Sequence, residues 1–216
     1  MDLVTLHIIL ADDHPIVRSG VRTLLESGSR VTVTAEVASP EDLLQAIESE
    51  SCDLVLTDFS MPGGRVADGL NMLAAIKRRW PNLPIIVLTM MSNVGVLRSI
   101  LAAGVRGLLS KSDALTELPL AIQAVSHGRD YVSSGIKATL ERSHGGSAVS
   151  AQVALSGRET EVLRLFAAGL TVSEIASQLN RSVKTISRQK IDAMTKLGLK
   201  SDLDVYTYAR EHGLLA

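Results

Sequence analysis

Apolar residues follow two different rhythms along this chain, and the change between them divides it. Up to about residue 128, short apolar runs alternate with longer stretches whose apolar positions recur every three or four residues. The short runs lie at 6–10, 31–37, 53–58, 84–89 and 105–110. They are rich in Val, Ile and Leu and bounded by turn residues, so they predict five buried strands. Between them the pattern is helical. Pro15 suits the start of a helix, where its missing N–H costs nothing; Ile16, Val17, Val21, Leu24 and Leu25 then share a face. Ser39-Pro40-Glu41-Asp42 is an N-cap followed by Pro and acids, with Leu43, Leu44 and Ile47 behind it. Leu70, Leu73, Ala74 and Ile76 precede Pro81; a fourth helix stops at Gly104, and a fifth over 115–125 is closed by His127-Gly128. Five β-α units with short connections predict a parallel, doubly wound α/β sheet covered by helices on both faces.

From residue 155 onward only the helical rhythm remains. Ser156 with Glu159, and Thr171 with Glu174, match the capping-box spacing. Helices are predicted over 157–168, 172–179, 183–197 and 202–211, divided by Gly169, Asn180-Arg181 and Gly198. Between the halves, a short helix fits 134–142, and Ser143-His144-Gly145-Gly146-Ser147 reads as flexible linker. The expected organisation is a domain over 4–128, a linker over 129–153 and an all-α four-helix domain over 154–216.

Within that second domain, TVSEIASQLNRSVKTISRQK (171–190) reads as helix, tight turn, helix. Ile175, Ala176, Leu179, Val183 and Ile186 are expected to pack the two helices together. Lys184, Ser187, Arg188 and Ile191 then share another face at i, i+3, i+4 and i+7. A basic, hydroxyl-bearing helix face suits the DNA major groove; a small protein-binding bundle would show the same packing pattern.

Charge sharpens this picture. Net charge is −1, yet residues 1–128 carry 10 basic and 14 acidic groups, and residues 154–216 carry 9 and 7. The segment from Arg181 to Lys200 holds six basic residues against one acid, Asp192. A basic stripe on a near-neutral chain points to a confined polyanion site, although a solvated helix face also looks like this. A single cysteine, Cys52, excludes an intrachain disulfide framework or a zinc cluster and fits a reducing compartment. The N-terminal stretch lacks the basic start of a signal peptide, and no apolar run reaches membrane-span length. The expectation is a cytoplasmic protein that does not enter membranes.

The predicted sheet edge collects Asp12, Asp13, Asp58, Thr89 and Lys111, all at C-terminal ends of strands. Singly each has a plain reading: Asp12 and Asp13 as first-turn helix charges, His14 as a helix-start residue, Thr89 as a strand end, Lys111 as a solvated cation. Together they describe a pocket. Three carboxylates repel one another unless a cation is present. Hard oxygen donors of this kind suit Mg²⁺, which often binds beside phosphate. A hydroxyl and an ammonium could hold phosphate oxygens while a carboxylate accepts a phosphoryl group.

With these residues in hand, segment 4–128 resembles the receiver domain of two-component response regulators, a five-stranded flavodoxin-like fold. Asp12-Asp13 matches its acidic pair, Asp58 its phosphoacceptor, Thr89 its switch hydroxyl and Lys111 its lysine. The resemblance implies phosphotransfer to Asp58 from a histidine kinase or a histidine phosphotransfer protein. It also implies a Mg²⁺ site of Asp12, Asp13, Asp58 and the backbone carbonyl of Ser60. Met90 after the hydroxyl, Leu108 on the fifth strand and the long loop from Gly63 to Gly69 depart from the common pattern.

Segment 155–213 resembles the helix-turn-helix domain of NarL/FixJ-type regulators. This implies that the helix over 183–197 enters the major groove, with Arg181, Lys184, Thr185, Ser187, Arg188 and Lys190 at DNA and the last helix available for a dimer contact. The implied partners are DNA, RNA polymerase, a second copy of the chain and, in a mode that needs no phosphate, other regulators as heterodimer partners. The rival reading is an enzyme, a Mg²⁺-dependent phosphatase working through an aspartyl phosphate; the chain lacks a second placed acid/base and a cap domain for that.

Overall fold

The computed structural model describes residues 5–27, 31–62, 66, 68–145 and 155–215. It divides into two compact units, Met1–Thr89 with Leu101–Ile136, and Met90–Ile100 with Lys137–Ala216.

The first unit is built on a parallel sheet. Its strands are β1 (Leu6–Ala11), β2 (Val31–Val37), β3 (Leu54–Asp58), β4 (Ile85–Thr89), β5 (Gly107–Ser110) and β6 (Tyr131–Val132), in the order β2-β1-β3-β4-β5-β6. Five of these are the predicted strands. The sixth, β6, was not anticipated. Two residues are too few to show a period, and β6 exists because Tyr131 N–H and Ser133 N–H find the carbonyls of Arg106 and Leu108 along the free edge of β5.

Helices α1 (Pro15–Glu26), α2 (Pro40–Ser49), α3 (Gly69–Arg79) and α5 (Ala114–Ser126) belong to this unit, and α4 (Val94–Ala102) precedes β5. Side chains alternate across each strand. Ile8, Leu10, Leu54, Leu56, Ile86, Leu88 and Leu109 form one buried face with Val21 and Leu25 of α1 and Leu118, Ala121 and Val125 of α5. Ile9, Val55, Val87 and Leu108 alternate with them and are likewise fully buried. Both faces are therefore covered, which explains why the strands read as continuous apolar runs. Ser39 caps α2 as expected, accepting from Asp42 N–H at 3.2 Å.

After the sheet comes α6 (Ser134–Gly145), which is longer than the helix over 134–142 that the sequence predicts. Ser143 and His144 continue it, since neither residue breaks a helix, and Gly145 is its last residue. The rest of the expected linker lies outside the described residues.

The C-terminal part contains α7 (Gly157–Ala167), α8 (Val172–Gln178), α9 (Val183–Leu197) and α10 (Asp202–Glu211). Both anticipated capping boxes form, and Ser201 with Asp204 makes a third. The turn between α8 and α9 is tight: Asn180 takes a positive φ of 52°, and Arg181 N–H reaches back to the Ala176 carbonyl at 2.8 Å. Gly198, at φ 70°, ends α9 in the left-handed conformation that glycine adopts without strain. Ile175, Ala176 and Ile186 are buried between the helices, and Leu179 is half-buried. Val183 departs from expectation. At the first position of α9, directly after the Ser182 cap, it points outward and is 51% exposed.

Glu159 shows how this domain is fastened. Its carboxylate accepts from Ser156 N–H and from Lys196 Nζ, both at 2.8 Å, tying the start of α7 to the end of α9. Burial alone would raise its pKa, but the bonds from Lys196 and Ser156 outweigh burial and hold it below the ordinary 4.5. A carboxyl whose folded pKa is depressed adds stability above its unfolded pKa and loses it as pH falls through the folded value. Glu159→Gln is expected to cost about 1 kcal/mol at neutral pH in urea denaturation, with the gap to wild type closing below pH 4.5. A pH-independent gap would show that the carboxylate charge is not the cause.

Candidate functional site

Parallel pairing brings the acidic residues to one edge. β1 pairs with β3, and β3 with β4, so their C-terminal ends lie side by side. Strand order reverses between β1 and β3, the place where doubly wound sheets open a crevice. Asp12 follows β1 and Asp58 ends β3, one on each side of that point. Thr89, buried, ends β4, and Lys111 N–H donates to its carbonyl at 2.9 Å.

Lys111 stands at the centre of the group. Its Nζ lies 2.8 Å from Asp12 Oδ2 and 2.7 Å from Asp58 Oδ2. Both carboxylates are almost wholly buried. The Asp58 carboxyl stands at about 6, because burial, helped by the Asp12 charge, pushes it up more than the Lys111 ammonium and the Ser60 N–H pull it down. Burial would lower the Lys111 pKa, but its contacts with Asp12 and Asp58 win and raise it. The group is thus an ammonium held between two buried carboxylates.

Asp13 and His14 complete the cluster. One ligand atom from each of Asp12, Asp13, His14 and Asp58 lies within 4.8 Å of the others. His14 Nδ1 is 2.7 Å from Asp13 Oδ1, and His14 N–H donates to Asp12 Oδ1 at 2.9 Å. Asp12 Oδ2 and Asp13 Oδ1 are buried yet receive no well-aligned hydrogen bond. Nitrogen contacts at poor angles leave their lone pairs open to a cation. An oxygen-rich set of this kind fits Mg²⁺. Ser60 N–H donates to Asp58 Oδ1 at 3.3 Å, which fixes the start of the following loop against the carboxylate.

Three supporting residues were not anticipated. His14 joins the acidic group as well as starting α1. Arg18 Nη1 donates to the Asp12 carbonyl at 2.6 Å; its only sequence signal is its place one turn along the helix after the acidic pair. Asp68 is buried and accepts from Met61 N–H at 3.0 Å, while Gly69 N–H donates to the Phe59 carbonyl at 3.0 Å. Together these clamp the base of the long loop after Asp58. The Asp-Gly dipeptide was a visible turn signal, and Gly69 takes φ 60° as that signal implies. Gly63, Gly64, Arg65 and Ala67 of the loop lie outside the described residues. Met90, the departure after Thr89, is 57% exposed.

On α9, Arg181 at its approach and Lys184, Thr185 and Arg188 along it are exposed, and Ser187 is half-buried. Thr185 N–H donates to Ser182 Oγ at 3.1 Å as part of the cap. Arg188 Nε stands 3.8 Å from Asp192 Oδ2 on the open surface. The structure takes Lys190 away from this face. Its Nζ lies 2.6 Å from Asp202 Oδ1 and 3.5 Å above the centre of the Phe166 ring. Attraction to the carboxylate and to the π face makes it a cation internal to the domain. Lys196 is likewise engaged by Glu159. Two of the six basic residues between Arg181 and Lys200 thus hold helices together.

Comparison with known proteins identifies both parts of the chain. The model of the response regulator receiver domain matches residues 8–123, and that of the bacterial regulatory proteins of the luxR family matches residues 153–209. The chain is 41% identical over 203 residues to the transcriptional regulatory protein RcsB of Salmonella typhi, covering 94% of this chain and 93% of that one. A structure of RcsB from Salmonella enterica serovar Typhimurium, bound to promoter P1flhDC in the presence of phosphomimetic BeF3-, superposes with a TM-score of 0.83 at 40% identity, covering 96% of this chain and 99% of that one. A structure of two RcsB dimers bound to two parallel DNAs gives 0.65 at 39% identity, covering 95% and 98%. The chain belongs to the response regulators that join a receiver domain to a LuxR-type DNA-binding domain.

Proposed function

We propose that Asp58 is the phosphoacceptor of a regulator that controls transcription through α9. One observation carries this reading: a buried carboxylate at the switch point of the sheet, held by Lys111 beside a second buried carboxylate, in a chain that also presents an exposed basic helix. An Asp58 oxygen attacks the phosphorus of a phosphohistidine whose ring carries a proton on its other nitrogen; the P–N bond breaks, an acyl phosphate forms, and the ring leaves as neutral imidazole. The ammonium of Lys111 is already at the reacting carboxylate and can turn to the new phosphoryl oxygens. Thr89, at the next strand end, is the hydroxyl proposed to follow the phosphoryl group. Asp12, Asp13, Asp58 and the Ser60 carbonyl would hold Mg²⁺, which supplies charge neutralisation for the phosphoryl oxygens.

The proposed domains are 4–128 and 154–216, with 129–153 as connection, although Tyr131–Val132 within it adds the edge strand β6 to the sheet. The proposed donor is a histidine kinase or a histidine phosphotransfer protein. The other proposed partners are DNA, RNA polymerase and a second copy of the chain, with other regulators as heterodimer partners. The dimeric RcsB complexes support the second copy. The protein is proposed to act in the cytoplasm and to have no substrate turnover of its own. Among the described residues no helix is long and apolar enough to cross a membrane. Arg181, Lys184, Thr185, Ser187 and Arg188 are the proposed DNA contacts, with Lys190 reassigned to the domain interior.

Asp58→Asn is expected to abolish the hydroxylamine-sensitive phosphate acquired from a small-molecule phosphodonor and to abolish the phosphodonor-dependent gain in promoter binding. An equal gain in the variant would sink the assignment. In thermal unfolding, ten times the Kd of Mg²⁺ is worth about 1.4 kcal/mol to wild type. Asp12→Asn should lose this response at matched ionic strength; retention would place the metal elsewhere. Arg188→Ala is expected to cost about 1–3 kcal/mol on a preferred site, whereas an equal loss on every sequence would mark a phosphate contact.

A further inference from the structure

The exposed face of α9 is not uniformly polar. Ile191 is 58% exposed there. The helix buries Ile186 and Ala193, so Ile191 takes no part in the domain core. Lys184, Arg188, Ile191 and Thr195 are all exposed, and their spacing of i, i+4, i+7 and i+11 aligns them along one stripe. An apolar, branched side chain in the middle of a basic stripe gains nothing from phosphate. The acid beside it, Asp192, would repel phosphate and leans toward Arg188 at 3.8 Å. The stripe is complementary in charge to DNA, with Arg181, Lys184 and Arg188 open to it. On the floor of the major groove, the apolar group available to meet such a side chain is the C5-methyl of thymine.

We propose that Ile191 is a specificity-determining residue that reads a thymine methyl in the major groove. This rests on the reading of α9 as the helix that enters DNA and adds to it a contact of a different chemistry from the cations. The helix rise of 1.5 Å per residue puts Ile191 about 4.5 Å along the axis from Arg188 and about 10 Å from Lys184. At about 3.4 Å per base pair, the thymine lies one to two base pairs from the base that Arg188 faces, on the side away from that of Lys184.

The test uses the full chain. A preferred duplex is selected from random DNA, and each thymine is then replaced singly by deoxyuridine, which pairs identically and lacks only the methyl. Wild type is expected to lose about fourfold in affinity at one thymine per half-site, the worth of one buried methyl. Ile191→Ala should bind the thymine and deoxyuridine duplexes equally at that position, Ile191→Val should keep part of the difference, and the salt dependence should be unchanged in both. Absence of any deoxyuridine-sensitive position, or equal sensitivity in Ile191→Ala, overturns the proposal. Failure of the underlying reading looks different: no sequence preference at all and a flat response to salt.

Discussion

The ammonium of Lys111, held between the buried carboxylates of Asp12 and Asp58, is the interaction on which the receiver half depends. Two anions drawn out of water into one crevice repel each other, and each loses its hydration. Breaking such a buried arrangement by removing one partner costs on the order of 3–5 kcal/mol. The sheet supplies the enforcement. Parallel pairing of β1, β3, β4 and β5 fixes the spacing of their C-terminal ends. Arg18 holds the Asp12 carbonyl, and Asp68 clamps the loop after Asp58. The carboxylates are thereby kept close enough to want a cation and too constrained to separate. That is a suitable state for a residue proposed to gain and lose a doubly charged group, because every added charge must be met by moving Lys111, a metal or both.

The DNA-binding half solves a different problem with similar residues. A basic helix needs cations on its surface and cations that fasten it to its neighbours. Lys190 and Lys196 belong to the second kind, bound to Asp202, Phe166 and Glu159. Arg181, Lys184 and Arg188 belong to the first. Three capping boxes start α7, α8 and α10 at defined residues, so the exposed stripe of α9 is presented by a scaffold with well-fixed helix starts. A groove-reading surface needs this, since a base contact misplaced by an ångström is lost.

Much of this was legible in the sequence, for local reasons. Buried parallel strands must be apolar on both faces, so the runs 53–58 and 84–89 announce themselves. Capping requires particular side chains at fixed spacing, so Ser156 with Glu159 and Thr171 with Glu174 mark helix starts to the residue. The end of a strand is where polar groups can emerge, which is why Asp12, Asp58, Thr89 and Lys111 could be grouped before their distances were known. Other features carry no local signal. β6 is defined by its neighbour's free edge. His14 looks like any helix-start residue until its imidazole is seen against Asp13. Val183 has an apolar side chain but, at the first position of α9, lies on its outward face, 51% exposed, while Ile186 of the same turn is buried.

By itself, then, the sequence determined the order and type of the elements apart from β6, and the identity of the acids, hydroxyl and lysine that lie at the strand ends. These follow from backbone hydrogen bonding and side-chain periodicity, which act over a few residues. Tertiary structure alone decided which charges are spent on one another. Lys111 could have been solvated and Lys190 could have faced DNA. Folding buried the first between two carboxylates and turned the second toward Asp202. The energy of a charge depends on burial and on partners that are distant in the chain, and neither is written in the residues beside it.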